Sequence, residues 1–140
     1  MGIEAFVWVY RNGEPTSLPL SEVIGAFGDA VREWNPESGH LRLVYGSESD
    51  SCDIFCGKDV ARTGRITSLM IDRPINCPEL WEAVLKIMSL GHALLFFSDD
   101  TTPRFCDIAS ASHFPKDLMA SLGTPSRVRT PQDFIEGRER

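Results

Sequence analysis

No stretch of this chain approaches the roughly 20 consecutive apolar residues that a membrane-spanning helix needs, so a bilayer-crossing helix is not expected. Positive charge is also scarce. Fourteen Lys and Arg stand against twenty Asp and Glu, a net charge of −6, and a surface of that sign repels phosphate backbones and anionic lipid headgroups. Neither nucleic acid nor membrane is therefore an expected partner. The signatures of bound chemistry are missing as well. Gly57-Lys58 and Gly64-Arg65 belong to neither GxxxxGK[ST] nor GxGxxG, and no CxxC, HxH or HExxH pattern occurs. No cofactor, metal ligand or catalytic residue is assigned. Residues 1–10 lack a basic region followed by an apolar export segment, and Phe6 stands where N-myristoylation requires Ser or Thr. The expected location is cytoplasmic, with the four cysteines reduced.

What is present describes one folded domain. The chain has 140 residues, 42% hydrophobic and 24% charged, enough to bury a core without metal or disulfide staples. Ile71 to Ser98 is its most structured stretch. Asn76 or Cys77 suits an N-cap, Pro78 the first helical position and Gly91 a C-terminal stop, while Leu80, Val84, Ile87 and Met88 recur at helical spacing. Ala93 to Phe97 follows as an apolar run suited to a strand buried on both faces between helices.

Ile3 to Tyr10 alternates as a strand with two largely apolar faces, belonging inside a sheet or under a partner. Asn12-Gly13 marks a turn, and the stripe Leu20, Val23, Ile24, Phe27, Val31, Trp34 predicts a helix from Pro19 to about Trp34. Leu41–Tyr45, Cys52–Cys56 and Arg65–Ile71 read as strands, and Arg104–Ala109 as a hairpin partner of the Ala93 strand. A short helix is predicted from Pro115 to Leu122. Thr130-Pro131-Gln132-Asp133 predicts a capped final turn that returns Phe134 and Ile135 to the core. The fold class is α/β or α+β: a single-domain mixed sheet of about five to six strands, two main helices and short C-terminal helices.

Three residue groups invite a chemical reading. Cys52 and Cys56 share a strand face, but at about 3.3 Å per residue their Cα atoms lie about 13 Å apart, too far to chelate one ion. They read as small buried hydrophobes. Ser110, Ser112, His113 and Asp107 are the residue types of a nucleophilic site, yet ASASHFP has no nucleophile elbow, and His113 reads as a loop residue entering a helix. His92 after Gly91 reads as a partner for helix-end carbonyls. The carboxylates Glu48, Asp50, Asp53, Asp99 and Asp100, with Tyr45 beside them, suit recognition better. Acidic groups speed encounter with a basic protein, and aromatics such as Trp8, Tyr10 or Tyr45 supply buried contacts.

Finally, IDRPINCPELWEAVLKIMSLGHALLFF and CDIASASHFPKDLMASLGTP, over about Ile71 to Pro125, resemble small bacterial immunity-type proteins that protect a cell from polymorphic or contact-delivered toxins. The resemblance lies in Asp72-Arg73-Pro74, Leu80-Trp81, His113-Phe114-Pro115 and Leu122-Gly123. It implies a compact non-enzymatic domain that binds one cognate toxin stoichiometrically. Two alternatives stand beside it: an enzyme or ligand-binding domain with a polar site around Asp72, Arg73, Asp107 and His113, and a structural subunit, such as a homodimer, paired through its apolar first strand.

Overall fold

The computed structural model describes residues 4–47, 50–74, 77–98, 103–122 and 126–138. In chain order the elements are β1 (Glu4–Arg11), β2 (Glu14–Pro15), β3 (Leu18–Pro19), α1 (Leu20–Phe27), a 3-10 turn (Gly28–Ala30), β4 (Val31–Asn35), β5 (His40–Val44) and β6 (Ser51–Phe55). Then come α2 (Val60–Thr63), β7 (Arg65–Ile66), β8 (Ser68–Asp72), α3 (Pro78–Met88), β9 (His92–Phe97) and β10 (Arg104–Phe105). A 3-10 segment (Ile108–His113), α4 (Lys116–Leu122), β11 (Ser126–Arg127) and α5 (Pro131–Arg138) complete the chain.

The main sheet runs β11-β10-β9-β1-β8-β6-β5-β4, with β2 added to β1, and β3 pairs with β7 apart from it. That is nine strands where five to six were expected. The excess comes from two-residue strands, too short for an alternation pattern to reveal. Every described pairing is antiparallel except β10 with β11. β9 is apolar on both faces, but its partner β1 is antiparallel, so the arrangement is α+β rather than a parallel α/β layer.

β1 lies at the centre, hydrogen-bonded to β8 on one side and β9 on the other. Its alternation sorts side chains onto two faces. Ala5, Val7 and Val9 join Leu41, Leu43, Ile54, Leu69, Ile71 and Leu95 in the main core, closed by Val23 and Phe27 of α1, the stripe of α3, and Phe134 of α5. Glu4, Phe6, Trp8 and Tyr10 point to the other face. There a smaller core of Tyr10, Leu94, Phe105 and Phe114, flanked by Trp8, Leu118 and Met119, covers one end of the sheet.

α3 begins where the sequence places it, with Cys77 in extended N-cap geometry and Pro78 first in the helix. It ends earlier than Gly91: the last helical residue is Met88, and the Ser89 hydroxyl donates to the Leu85 carbonyl at 2.8 Å. α5 is held at its start by an aspartate in its first turn. The Asp133 carboxylate accepts the Arg129 and Thr130 N–H groups at 2.7 and 3.1 Å, which keeps its carboxyl below the usual range, and Phe134 then stacks on Trp81 at 4.9 Å.

The expected helix from Pro19 to Trp34 is half right. α1 stops at Phe27 because Gly28 takes φ 57°, ψ −131°, a conformation open chiefly to glycine. Val31 and Trp34 then lie in an edge strand, opposite Leu43 and Leu41, with a register shift between Val31 and Glu33. One bulged residue turns strand spacing of two into an apparent helical spacing of three. Arg104–Ala109 is likewise only partly a strand, since β10 ends at Phe105 and Ile108 onward forms a 3-10 segment.

Leu80 is fully buried. Leu80→Ala is expected to cost about 2–5 kcal/mol in denaturant unfolding, while Leu90→Ala, on a residue 40% exposed, costs under about 0.5. Asp133→Ala is expected to lose about 0.5–2 kcal/mol at neutral pH. Because folding lowers this carboxyl's affinity for a proton, its contribution is complete above the usual Asp range and lost as pH falls through the lowered value. Urea titrations at neutral and acid pH should therefore find wild type and Asp133→Ala converging in acid.

Candidate functional site: an acidic and aromatic sheet face

Cross-strand register builds two parallel rows on the face away from α3. Phe96 lies opposite Phe6, Phe6 opposite Met70, Met70 opposite Phe55, and Phe55 opposite His40, so the row crosses five strands. At about 4.8 Å between strands it spans roughly 19 Å. Phe6 and Phe96 stack at 5.3 Å, Trp8 meets Phe96 edge-on at 4.8 Å, and Phe55 stacks on His40 at 4.9 Å. Phe55 is 38% exposed, while Phe6, Trp8, Met70 and Phe96 are half-buried.

Two residues along each strand, about 7 Å away, the second row reads Glu4, Asp72, Asp53, Arg42, Glu33. Glu4 is directly opposite Asp72, and Asp72 directly opposite Asp53. Like charges facing each other across strands oppose folding. Relief is partial: Nε2 of His40 lies 2.7 Å from Asp53 Oδ1, and Arg42 reaches Glu33 at 3.9 Å. The result is a band of half-exposed aromatic surface bordered by carboxylates.

The residues singled out from sequence separate in space. Asp53 belongs to the acidic row, whereas Asp50 is exposed in the loop before β6, where its carbonyl accepts the Tyr45 N–H at 2.9 Å. Glu48, Asp99 and Asp100 lie outside the described residues. Tyr45 lines an open cleft of about 440 Å³ with Asp29, Arg32, Glu79, Glu82 and Lys86. Its hydroxyl is buried with no hydrogen-bond partner among the described residues, and burial pushes the phenol well above its usual range. Glu4, Phe6, Met70 and Phe55 were missed by sequence reasoning, and Asp72 was weighed only for a polar site with Arg73, Asp107 and His113, because only strand register makes these five neighbours.

The polar residues considered for catalysis do not converge either. Asp72 pairs with Glu4 at the start of β1, while His113 accepts the Asn12 N–H just beyond its end. Eight strand steps, about 26 Å, separate those positions. Ser110 is 1% exposed, its hydroxyl 3.0 Å from His92 Nδ1, so no external carbonyl reaches it. His92 thus serves Ser110 from within β9 rather than a helix end.

Cys52 and Cys56 are buried, and burial pushes both thiols up to about 12. Thiols in that state are poor metal ligands. Among the described residues no group of three or more His, Cys, Asp or Glu is arranged to hold a metal ion, and no helix is long and apolar enough to cross a membrane.

No family model matches the sequence, and comparison with curated proteins and with solved structures finds no match. In the native chain at about pH 8, a thiol reagent is expected to modify Cys77 and Cys106, both half-buried, well before Cys52 and Cys56. Rapid reaction of all four without denaturant would contradict the burial described.

Proposed function

We propose that this chain is a non-enzymatic, immunity-type inhibitor that neutralises a cytoplasm-acting toxin by one-to-one binding, and that the acidic and aromatic sheet face receives a basic surface of that toxin. The observation that carries this reading is the alignment of Glu4, Asp72 and Asp53 beside the row Phe96, Phe6, Met70, Phe55. Opposed carboxylates weaken the free fold by about 0.2–1 kcal/mol per pair. A partner's Lys and Arg groups would relieve that repulsion while the aromatics bury against its apolar atoms. Charge then governs the rate of encounter, and aromatic burial governs residence.

The same charge argues against a second copy on this face, since two such rows would repel. Pairing through the first strand is blocked in another way: β1 has both edges occupied within its own chain. The toxin itself rests on the resemblance over Ile71 to Pro125.

Affinity capture from lysate of the source cell, at low and high salt, tests the proposal. The expected result is one stoichiometric basic protein, released by salt, toxic when expressed alone and harmless with this chain. With that partner in hand, Asp72→Asn is expected to stabilise the free chain by up to about 1 kcal/mol yet slow association at low salt. Phe55→Ala is expected to speed dissociation, at a cost of more than about 1 kcal/mol in affinity, with little change in melting. A partner whose binding ignores both variants would remove this face from the proposal.

A further inference from the structure

The most specific side-chain geometry outside the binding face is a pair of histidines at one end of it. The rings of His92 and His113 stack with centroids 3.7 Å apart and planes within 5°. Nδ1 of His113 accepts the Asn12 N–H at 3.0 Å, and the His113 carbonyl accepts the Gly13 N–H at 2.9 Å. Asn12 and Gly13 form the β1–β2 turn with φ of 52° and 83°. On the other side of the stack, His92 Nδ1 lies 3.0 Å from the buried Ser110 hydroxyl. The two rings therefore join three elements: the β1–β2 turn, β9, and the segment Ile108–Leu122 that carries Phe114 onto Tyr10.

A ring nitrogen that accepts a backbone N–H carries no proton, so His113 is neutral in this arrangement, with its proton on Nε2. A proton added at Nδ1 would set donor against donor. A further proton on His92 would place two cations ring over ring. The other titratable groups on the packed elements do not offset this. Tyr10, opposite His92, has a phenol raised by burial and stays neutral, while Arg11, Glu14, Asp107, Lys116 and Asp117 are all exposed to solvent screening.

We propose that the His92–His113 stack is an acid-sensitive latch that closes Ile108–Leu122 over the sheet, and that its opening in acid uncovers the Tyr10 and Trp8 end of the aromatic face. The consequence for binding rests on the role proposed for that face; the latch itself does not. The closed form has its His113 Nδ1 occupied by the Asn12 N–H, so it binds fewer protons than the open one. The closed-to-open ratio therefore falls in acid, by at most about tenfold per pH unit for one group.

The test is NMR on the full free chain at about pH 7.5 and about pH 5.5, either side of the ordinary histidine value, for wild type and His113→Asn. An asparagine Oδ1 can accept from Asn12 much as Nδ1 does, but it does not titrate. In wild type the protection of the Asn12 amide against hydrogen exchange, which follows the closed-to-open ratio, is expected to fall about tenfold between the two pH values after correction for intrinsic exchange. His113→Asn is expected to keep the same protection at both pH values. Unchanged wild-type protection in acid overturns the latch, as does an equal fall in the variant. Should His113→Asn fail to fold, the wild-type titration decides alone. No partner is present in this experiment, so its failure leaves the binding role standing, whereas failure of the capture experiment leaves the latch standing.

Discussion

The structure depends on the double hydrogen bonding of β1. A strand paired on both sides cannot slip by one residue without exchanging its faces, and here the two faces carry different duties. Ala5, Val7 and Val9 must meet the helices, while Glu4, Phe6, Trp8 and Tyr10 must meet whatever lies on the other side. With the register set, the α3 stripe has a fitted surface to bury, α5 closes over Trp81, and the aromatic and acidic rows assemble across neighbouring strands without any loop to position them. Residues held on a paired sheet lose little further freedom on binding, which suits a preformed docking surface.

The two faces also differ in how well they serve folding. The helix side is closely packed and apolar. The other side keeps opposed carboxylates and leaves Phe55 more than a third exposed, with half-buried rings around it. Neither feature helps an isolated domain, and a stability-only sequence would replace both. Among the described residues only one end of this face is covered, by the segment carrying Phe114, and the histidine pair ties that cover to the β1–β2 turn. Surface and cover are thus joined at Tyr10 and Trp8.

Much of the fold was legible in the residues because local signals agreed. Proline at the first helical position, a four-residue stripe and the Thr130 to Asp133 cap identified α3 and α5, alternation identified β1, and short apolar segments on either side of a polar loop identified β5 and β6. Legibility failed where a local irregularity imitated another period, as with the bulge that gave Val31 and Trp34 a helical spacing. It failed again where a contact required register. Asp53 was visible as one carboxylate among several, but nothing in sequence aligns it with Asp72 and Glu4, nineteen and forty-nine positions away by subtraction of their numbers. The histidine pair was hidden for the same reason, each member offering a simpler local explanation.

A basic partner seated on the acidic and aromatic sheet face would shield that face from solvent. Hydroxyl-radical footprinting of the chain, free and with its captured partner, reads that face directly, because aromatic and methionine side chains are the readily oxidised ones. The expected result is protection of Phe6, Met70, Phe55 and Phe96, with Tyr45 in its cleft unchanged. Protection confined to the Tyr45 cleft, or none in a saturated complex, would contradict it.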